Sequence, residues 1–282
     1  MIGDKPDPVN EVNSPDSSGL AASGYNQFGF QSERGVIMRF FATVLLLLFA
    51  LSATAADYAR EKRWADEITP GIVVGDPITL GPVEGHKFLA LYTEAAKPKG
   101  AVIVVHGLGV HPDWNLIGVL RGGLAEQGYT TLSVQMPVLA AEAKQEDYDA
   151  TLGEAAARLQ TAADFLQARG YGKIGIVSHS LGSRMSLRYL ADNPAAPVKA
   201  WVAIGIPGGD YAKVSIPVLD LYGGNDLPGV LQNAKARAAS FKVKGSKQTV
   251  VPQADHFFNN RDAELVKSVM DYLDKILATQ SN

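Results

Sequence analysis

The stretch Ile176-Val177-Ser178-His179-Ser180-Leu181-Gly182-Ser183-Arg184 joins an apolar, strand-like run to a helical pattern, with Ser180 at the junction. A serine on a sharp strand-to-helix turn presents its hydroxyl above the edge of a sheet. The backbone N–H groups that follow lie at a helix N-terminus, where they stabilise negative charge. That placement suits a nucleophile that attacks a carbonyl and passes through an oxyanion. The chemistry also requires a base within reach, an acid to orient it, and a second oxyanion donor.

The elements that must bring such groups together follow from the hydrophobic pattern. From about residue 86 short β-branched runs alternate with amphipathic segments, which predicts an α/β fold with a mostly parallel central sheet and helices on both faces. Strands are expected at "KFLALYTEA", "GAVIVVHG", "YTTLSVQMP", "KIGIVSHS", "VKAWVAIGI", "PVLDLYGG" and "KQTVVPQ", with "GAVIVV" continuous enough to be a buried central strand. Helices are expected at "WNLIGVLRGGLAEQG", "ATLGEAAARLQTAADFLQARG", "LGSRMSLRYLADN", "LPGVLQNAKARAASF" and "AELVKSVMDYLDKIL". In the second of these, Leu152, Ala156, Leu159, Ala163 and Leu166 share one face, and Gly128 and Gly170 supply stops. Only "PGGDYAKVSI" separates two of the late strands, too little for a helical cap, so the catalytic edge should be open.

On these motifs the chain resembles the α/β-hydrolase superfamily, in its compact, lidless serine-hydrolase form. Ser178-His179-Ser180-Leu181-Gly182 is similar to the superfamily's G-x-S-x-G elbow, with serine in place of the first glycine. His106-Gly107-Leu108-Gly109 matches the H-G-x-G loop after the central strand, which implies that the N–H groups of Leu108 and Leu181 form the oxyanion hole. Gly223 to Asp226 resembles the G-x-x-D that carries the acid. "VVPQADHFF" places His256 where the superfamily carries its base, with Gln253 at the usual glycine position. The order Ser180, Asp226, His256 is the one this fold uses. "HGLGVHPDW" also resembles a group of exported bacterial proteins of unassigned role.

The resemblance implies a Ser-His-Asp hydrolase acting on small-molecule carboxylic esters through an acyl-enzyme, with thioesters and amides open to the same machinery. It implies no cofactor. The alternative is a non-catalytic envelope protein that keeps the fold for binding, supported by the altered elbow and by Gln253. Candidate substrate-lining residues are His111, which could pair with Asp113, together with Trp114, Met136 and His179; core packing accounts for Met136, Trp114 and His179 as well. His106 is read as holding its own loop, and His86 carries no functional signal. Asp220, inside a strand, reads as a buried hydrogen-bonded residue, while Asp210 is a second candidate for the acid. The spacing of His106, His111 and Asp113 lacks a helical or hairpin ligand pattern, so no metal site is expected.

Composition narrows the class further. The chain has 282 residues, a formal charge of −3, 46% hydrophobic residues and no cysteine, which excludes disulfides, thiolate chemistry and cysteine-ligated zinc. Charges are balanced and dispersed, which argues against a nucleic-acid partner. Residues 1–37 are polar and without periodicity and read as a disordered leader preceding the true start at Met38. Residues 38–55, "MRFFATVLLLLFALSATA", have the basic start, apolar run and small-residue cleavage site of a signal peptide. An exported protein, periplasmic or secreted, with no membrane span after cleavage is expected. Residues 56–85 read as an extended lead-in and 86–279 as the hydrolase domain.

Overall fold

The computed structural model describes residues 56–278 of the chain. The expected leader, signal peptide and start at Met38 lie outside the described residues. Among the described residues, no helix is long and apolar enough to cross a membrane.

Helix α1 (Tyr58–Ile68) comes first, followed by strands β1 (Asp76–Val83), β2 (His86–Thr93) and β3 (Gly100–Val105). Then come α2 (Leu116–Glu126), β4 (Tyr129–Val134), α3 (Leu152–Ala168), β5 (Ile174–His179) and α4 (Leu181–Asp192). The chain continues through β6 (Ala200–Ile204), β7 (Val218–Asn225), α5 (Pro228–Ala239), β8 (Lys247–Asp255) and α6 (Asp262–Ala278). The strands form one sheet of 8 in the order β1-β2-β4-β3-β5-β6-β7-β8. β1 and β2 form an antiparallel hairpin and β2 runs antiparallel to β4, whereas β3 to β8 are all parallel.

Every residue of β3, β4, β5 and β6 is buried, as expected of strands covered on both faces. Alternate side chains point to opposite layers. Ala101, Ile103 and Val105 pack with Leu159, Leu166, Met185 and Tyr189 of α3 and α4. Val102 and Val104 pack with Leu120, Leu124, Leu265 and Leu273 of α2 and α6. Each fully buried aliphatic side chain of this kind contributes roughly 1.5–3 kcal/mol. The six parallel strands therefore form a stiff platform whose carboxyl ends all open on one edge. Between β6 and β7 the chain makes only a short 3₁₀ turn at Tyr211–Lys213, and no cap is inserted there.

Two expectations change. Residues 56–85 are not an extended lead-in: they form α1 and the edge strand β1. Asp57 caps α1 by accepting from the Arg60 N–H at 2.9 Å. The Pro and Gly residues that disguise β1 in sequence are tolerated because it is an edge strand. The buried face of α3 also departs from the apolar stripe read from the sequence, because it includes Glu154 and Arg158, while Leu152 and Ala156 are only partly covered. Arg158 donates to both carboxylate oxygens of Glu61 in α1 at 2.8 and 3.1 Å, to Glu154 at 3.0 Å and to the Gln135 carbonyl at 2.9 Å. A buried charged pair joins α1 to α3. Burial holds the Glu61 carboxyl above its usual range, against the lowering effect of Arg158.

Candidate active site

Ser180 stands between the end of β5 and the start of α4 with φ 54 and ψ −120, a conformation that non-glycine residues seldom adopt. Such an outlier costs on the order of 1–3 kcal/mol and persists only where its surroundings fix it. Here the Ser180 N–H donates to the Ile204 carbonyl at 2.8 Å, and the Ser180 carbonyl accepts from the Ser183 N–H at 3.0 Å. Gly182 is required by close approach. A Cβ there would lie 2.2 Å from the His106 carbonyl oxygen, so only glycine lets the start of α4 close on the end of β3.

Ser178, at the position of the first glycine of the elbow, is fully buried and satisfied. The Trp201 indole N–H donates to its hydroxyl at 2.8 Å, and that hydroxyl lies 3.1 Å from the Ser183 hydroxyl. The substitution is absorbed by a local polar network and leaves the turn intact. Gln253, at the other departure, adopts φ 60, the left-handed conformation that a glycine would take.

The base and the acid reach Ser180 from the next strands along the sheet. His256 Nε2 lies 3.0 Å from Ser180 Oγ, and His256 Nδ1 lies 2.6 Å from Asp226 Oδ1. Asp226 is held in turn: its Oδ1 accepts from the Leu227 N–H at 2.7 Å and its Oδ2 from the Gly223 N–H at 3.2 Å. Gly223 lets the end of β7 close on the base loop, since a Cβ there would lie 2.2 Å from the Ala254 carbonyl oxygen. Asp226 is buried and accepts from three donors, an arrangement that keeps its carboxylate directed at the imidazole and fixes the tautomer with Nε2 facing the serine.

The His106-Gly107-Leu108-Gly109 loop lies against the elbow residues His179 and Ser180. A Cβ on Gly107 would lie 3.3 Å from Ser180 Cβ. His106 is buried, with Nδ1 2.9 Å from the Gly107 carbonyl and Nε2 accepting from the Met136 N–H at 2.8 Å, so its proton sits on Nδ1. Burial pushes its pKa down to about 3, which keeps the ring neutral. It holds its own loop, as expected, and also braces the loop after β4 through Met136. The N–H of Leu181, in the first turn of α4, has no acceptor within the helix.

The remaining candidates separate into different environments. His179 is buried beneath the site and does not line it: its Nε2 lies 2.9 Å from the His256 carbonyl, tying the elbow to the base loop. Burial, reinforced by the neighbouring His256, pushes its pKa down to about 3. Met136 is fully buried in the core on the α3 side and cannot line an open site. The expected His111–Asp113 side-chain pair does not form, because the Asp113 carboxylate is taken by the Arg121 guanidinium at 2.6 Å. His111 instead accepts from the Asp113 N–H at 3.3 Å and meets Trp64 edge-on, with centroids 5.8 Å apart. Trp114 does reach the site region, through an edge contact with Phe257 at 5.6 Å. Asp220 is paired with Arg237 at 2.9 Å, and Asp210 accepts from the Ala212 N–H at 2.8 Å in its own loop.

Two residues near the site were not singled out in the sequence. Arg60 of α1 donates to the Leu139 carbonyl at 2.7 Å and to the Gly109 carbonyl at 3.2 Å, bridging the loops that follow β4 and β3. Its partners are 79 and 49 residues away, and no local pattern marks such a contact. Phe257 follows His256 and is 39% exposed; its type and position were visible, but its exposure was not.

Comparison with known proteins agrees with this fold. Residues 78–157 match a family described as "Protein of unknown function (DUF3530)". No curated protein matches the chain. Among solved structures the chain is similar to a dienelactone hydrolase from Anabaena variabilis, with TM-score 0.60, 20% identity, and coverage of 71% of this chain and 96% of that one. It is similar to Est1E from Butyrivibrio proteoclasticus, with TM-score 0.60, 16% identity, and coverage of 72% and 99% respectively. A serine hydrolase without a lid from Xanthomonas campestris aligns with TM-score 0.58 and 20% identity over 74% of this chain and 98% of its own. Strand order, the open carboxyl edge and these neighbours agree: the chain has the α/β-hydrolase fold, in a lidless form.

Proposed function

We propose that the protein is an exported serine hydrolase that cleaves carboxylic esters through an acyl-enzyme. The observation that carries this reading is the unbroken hydrogen-bond chain from Asp226 through His256 to Ser180, at 2.6 and 3.0 Å. His256 takes the Ser180 proton as Oγ attacks the ester carbonyl. The oxyanion that forms is held by the Leu108 and Leu181 N–H groups. His256 then gives the proton to the departing alkoxide as the C–O bond breaks. Water, deprotonated by the same imidazole, releases the acid and restores Ser180. Asp226 holds the imidazole in register and stabilises the imidazolium.

The two departures from the elbow and base-loop patterns do not favour the binding-protein alternative. Ser178 is hydrogen-bonded in place, and Gln253 adopts the backbone conformation a glycine would provide. Export rests on the composition of residues 38–55.

The test is a fluorophosphonate probe, which phosphonylates an activated serine, combined with hydrolysis of p-nitrophenyl esters. The wild type is expected to label and turn over, and Ser180→Ala to lose both. A folded wild type that neither labels nor hydrolyses overturns the reading.

A further inference from the structure

The acidity of the departing alcohol is set by chemistry, but its fit is set by whatever surface stands beside His256. In ester cleavage the imidazole lies between the serine oxygen and the leaving oxygen, so the alcohol portion departs on the imidazole side. On that side the chain presents aromatic surface. The Phe257 ring stands edge-on to the His256 imidazole at 72°, with centroids 5.1 Å apart, and is 39% exposed. Trp114, from the loop after β3, meets Phe257 edge-on at 74° and 5.6 Å and is itself backed by the core on the α2 side. His179 lies 5.9 Å from Phe257 on the buried side.

Two loops far apart in sequence thus place one aromatic ring against another next to the base. Phe257 is fixed there by its backbone. The Phe257 N–H donates to the Asp255 carboxylate at 3.0 Å, and that carboxylate also accepts from the Asn259 N–H at 3.1 Å and the Asn259 amide at 2.8 Å. The ring stays open to solvent, and the connection between β6 and β7 inserts only a short 3₁₀ turn.

We propose that Phe257, backed by Trp114, determines specificity for the alcohol portion of the substrate, and that the preferred esters are those of arylmethyl or similarly flat apolar alcohols. This rests on the esterase reading above. A flat group against Phe257 buries apolar area in the Michaelis complex and in the transition state. The acyl portion lies on the opposite side of the Ser180 oxygen and gains nothing from this surface.

The experiment compares kcat/KM for methyl, benzyl and 2-naphthylmethyl acetates, whose alcohols differ little in acidity, and for methyl acetate against methyl phenylacetate. In the wild type, kcat/KM is expected to rise about tenfold or more from the methyl to the arylmethyl acetates. In Phe257→Ala the arylmethyl-to-methyl ratio is expected to fall to within about threefold of unity, with Phe257→Leu intermediate and Trp114→Leu lowering the ratio less. The ratio of methyl phenylacetate to methyl acetate should not follow the same trend. A flat alcohol series in an active wild type overturns the proposal, as does an equal loss on all esters in Phe257→Ala, or a change confined to the acyl series. A wild type that hydrolyses none of these esters and takes no fluorophosphonate overturns the esterase reading, and this proposal with it.

Discussion

The two halves of the catalytic edge are held by different means. On the side of β5 to β8 the groups fix one another: Ser180 is locked between Ile204 and α4, His256 is tied by Asp226 and by His179, and Asp226 by the Gly223 and Leu227 N–H groups. On the side of β3 and β4 the loop of residues 106–109 is braced internally by His106 but also held from outside by α1, through Arg60 on Gly109 and Leu139. α1 is itself anchored by the Glu61–Arg158 pair. The first half is a set of short hydrogen bonds between turns that follow adjacent strands. The second depends on a segment that precedes the sheet in sequence and reaches it only when the chain has folded. Damage to the Ser180–His256–Asp226 bonds should therefore affect chemistry with the fold intact, whereas damage to the anchor of α1 should lower stability.

The largest effect expected is on the first side. Asp226→Asn keeps the shape but reverses the hydrogen-bond demand on His256, and is expected to lower kcat by about 10⁴-fold with the unfolding midpoint nearly unchanged. Equal loss of stability and activity would erase the contrast.

On the second side, Arg158→Met leaves Glu61 and Glu154 buried without their cation. A loss of about 3–5 kcal/mol is expected in urea denaturation at pH 7. Burial already raises the Glu61 carboxyl, and without Arg158 it will be raised further. Its protonation therefore relieves the penalty as pH falls, so the deficit should shrink toward pH 5. A deficit independent of pH would indicate that packing, and not charge, anchors α1.

The braces on both sides share one pH signature. His106 and His179 have folded-state pKa values depressed by burial to about 3, against an unfolded value near 6.5. Their stabilising effect is complete above about pH 6.5 and is lost as pH falls below it, because the unfolded chain takes up protons that the folded one refuses. Near pH 5 this pair should add a slope of about 2.7 kcal/mol per pH unit to the stability curve, partly offset by the raised carboxyls of Glu61 and Asp220. His106→Gln should remove about half of the slope from the histidines, measurable by urea denaturation across pH 4–7.

Arg60→Ala should have a smaller effect, a loss of kcat of about tenfold with KM little changed, because the oxyanion loop is loosened but not displaced. Added guanidinium at low concentration should restore part of that loss. The smallest effect is expected of Ser178→Gly, which restores the glycine of the common elbow but leaves the Trp201 indole N–H without its buried partner. A destabilisation of about 1–3 kcal/mol with activity nearly retained is expected.

The parts of the fold legible in sequence were those whose signal is local. The buried strands read as apolar runs because both their faces are covered, and Ser180, Asp226 and His256 stood at strand ends marked by glycines or turn residues. β1 and α1 were not legible. β1 carries Pro77, Gly81 and Pro82 as the edge strand of the sheet among the described residues, and α1 buries Glu61, a residue that reads as solvated until Arg158 is seen opposite. Met136 and His111 illustrate the same limit from the other direction. Both lie near functional loops in sequence, but strand alternation turns the first into the core, and Arg121 takes the second's expected partner.

By itself the sequence determined the layered architecture, the order of the three candidate catalytic side chains and the absence of room for a cap between the late strands. Each of these follows from periodicity, spacing or the length of one connection. Only the tertiary structure decided that Ser178 and Gln253 can be accommodated, that α1 reaches back to hold the loop after β3, and that Phe257 stands exposed beside the imidazole. The contacts of α1 join groups 49 to 97 residues apart, and the Ser178 hydroxyl meets Trp201 across 23 residues. Such pairings are settled by packing and by competition for hydrogen bonds, and neither is written in any local pattern.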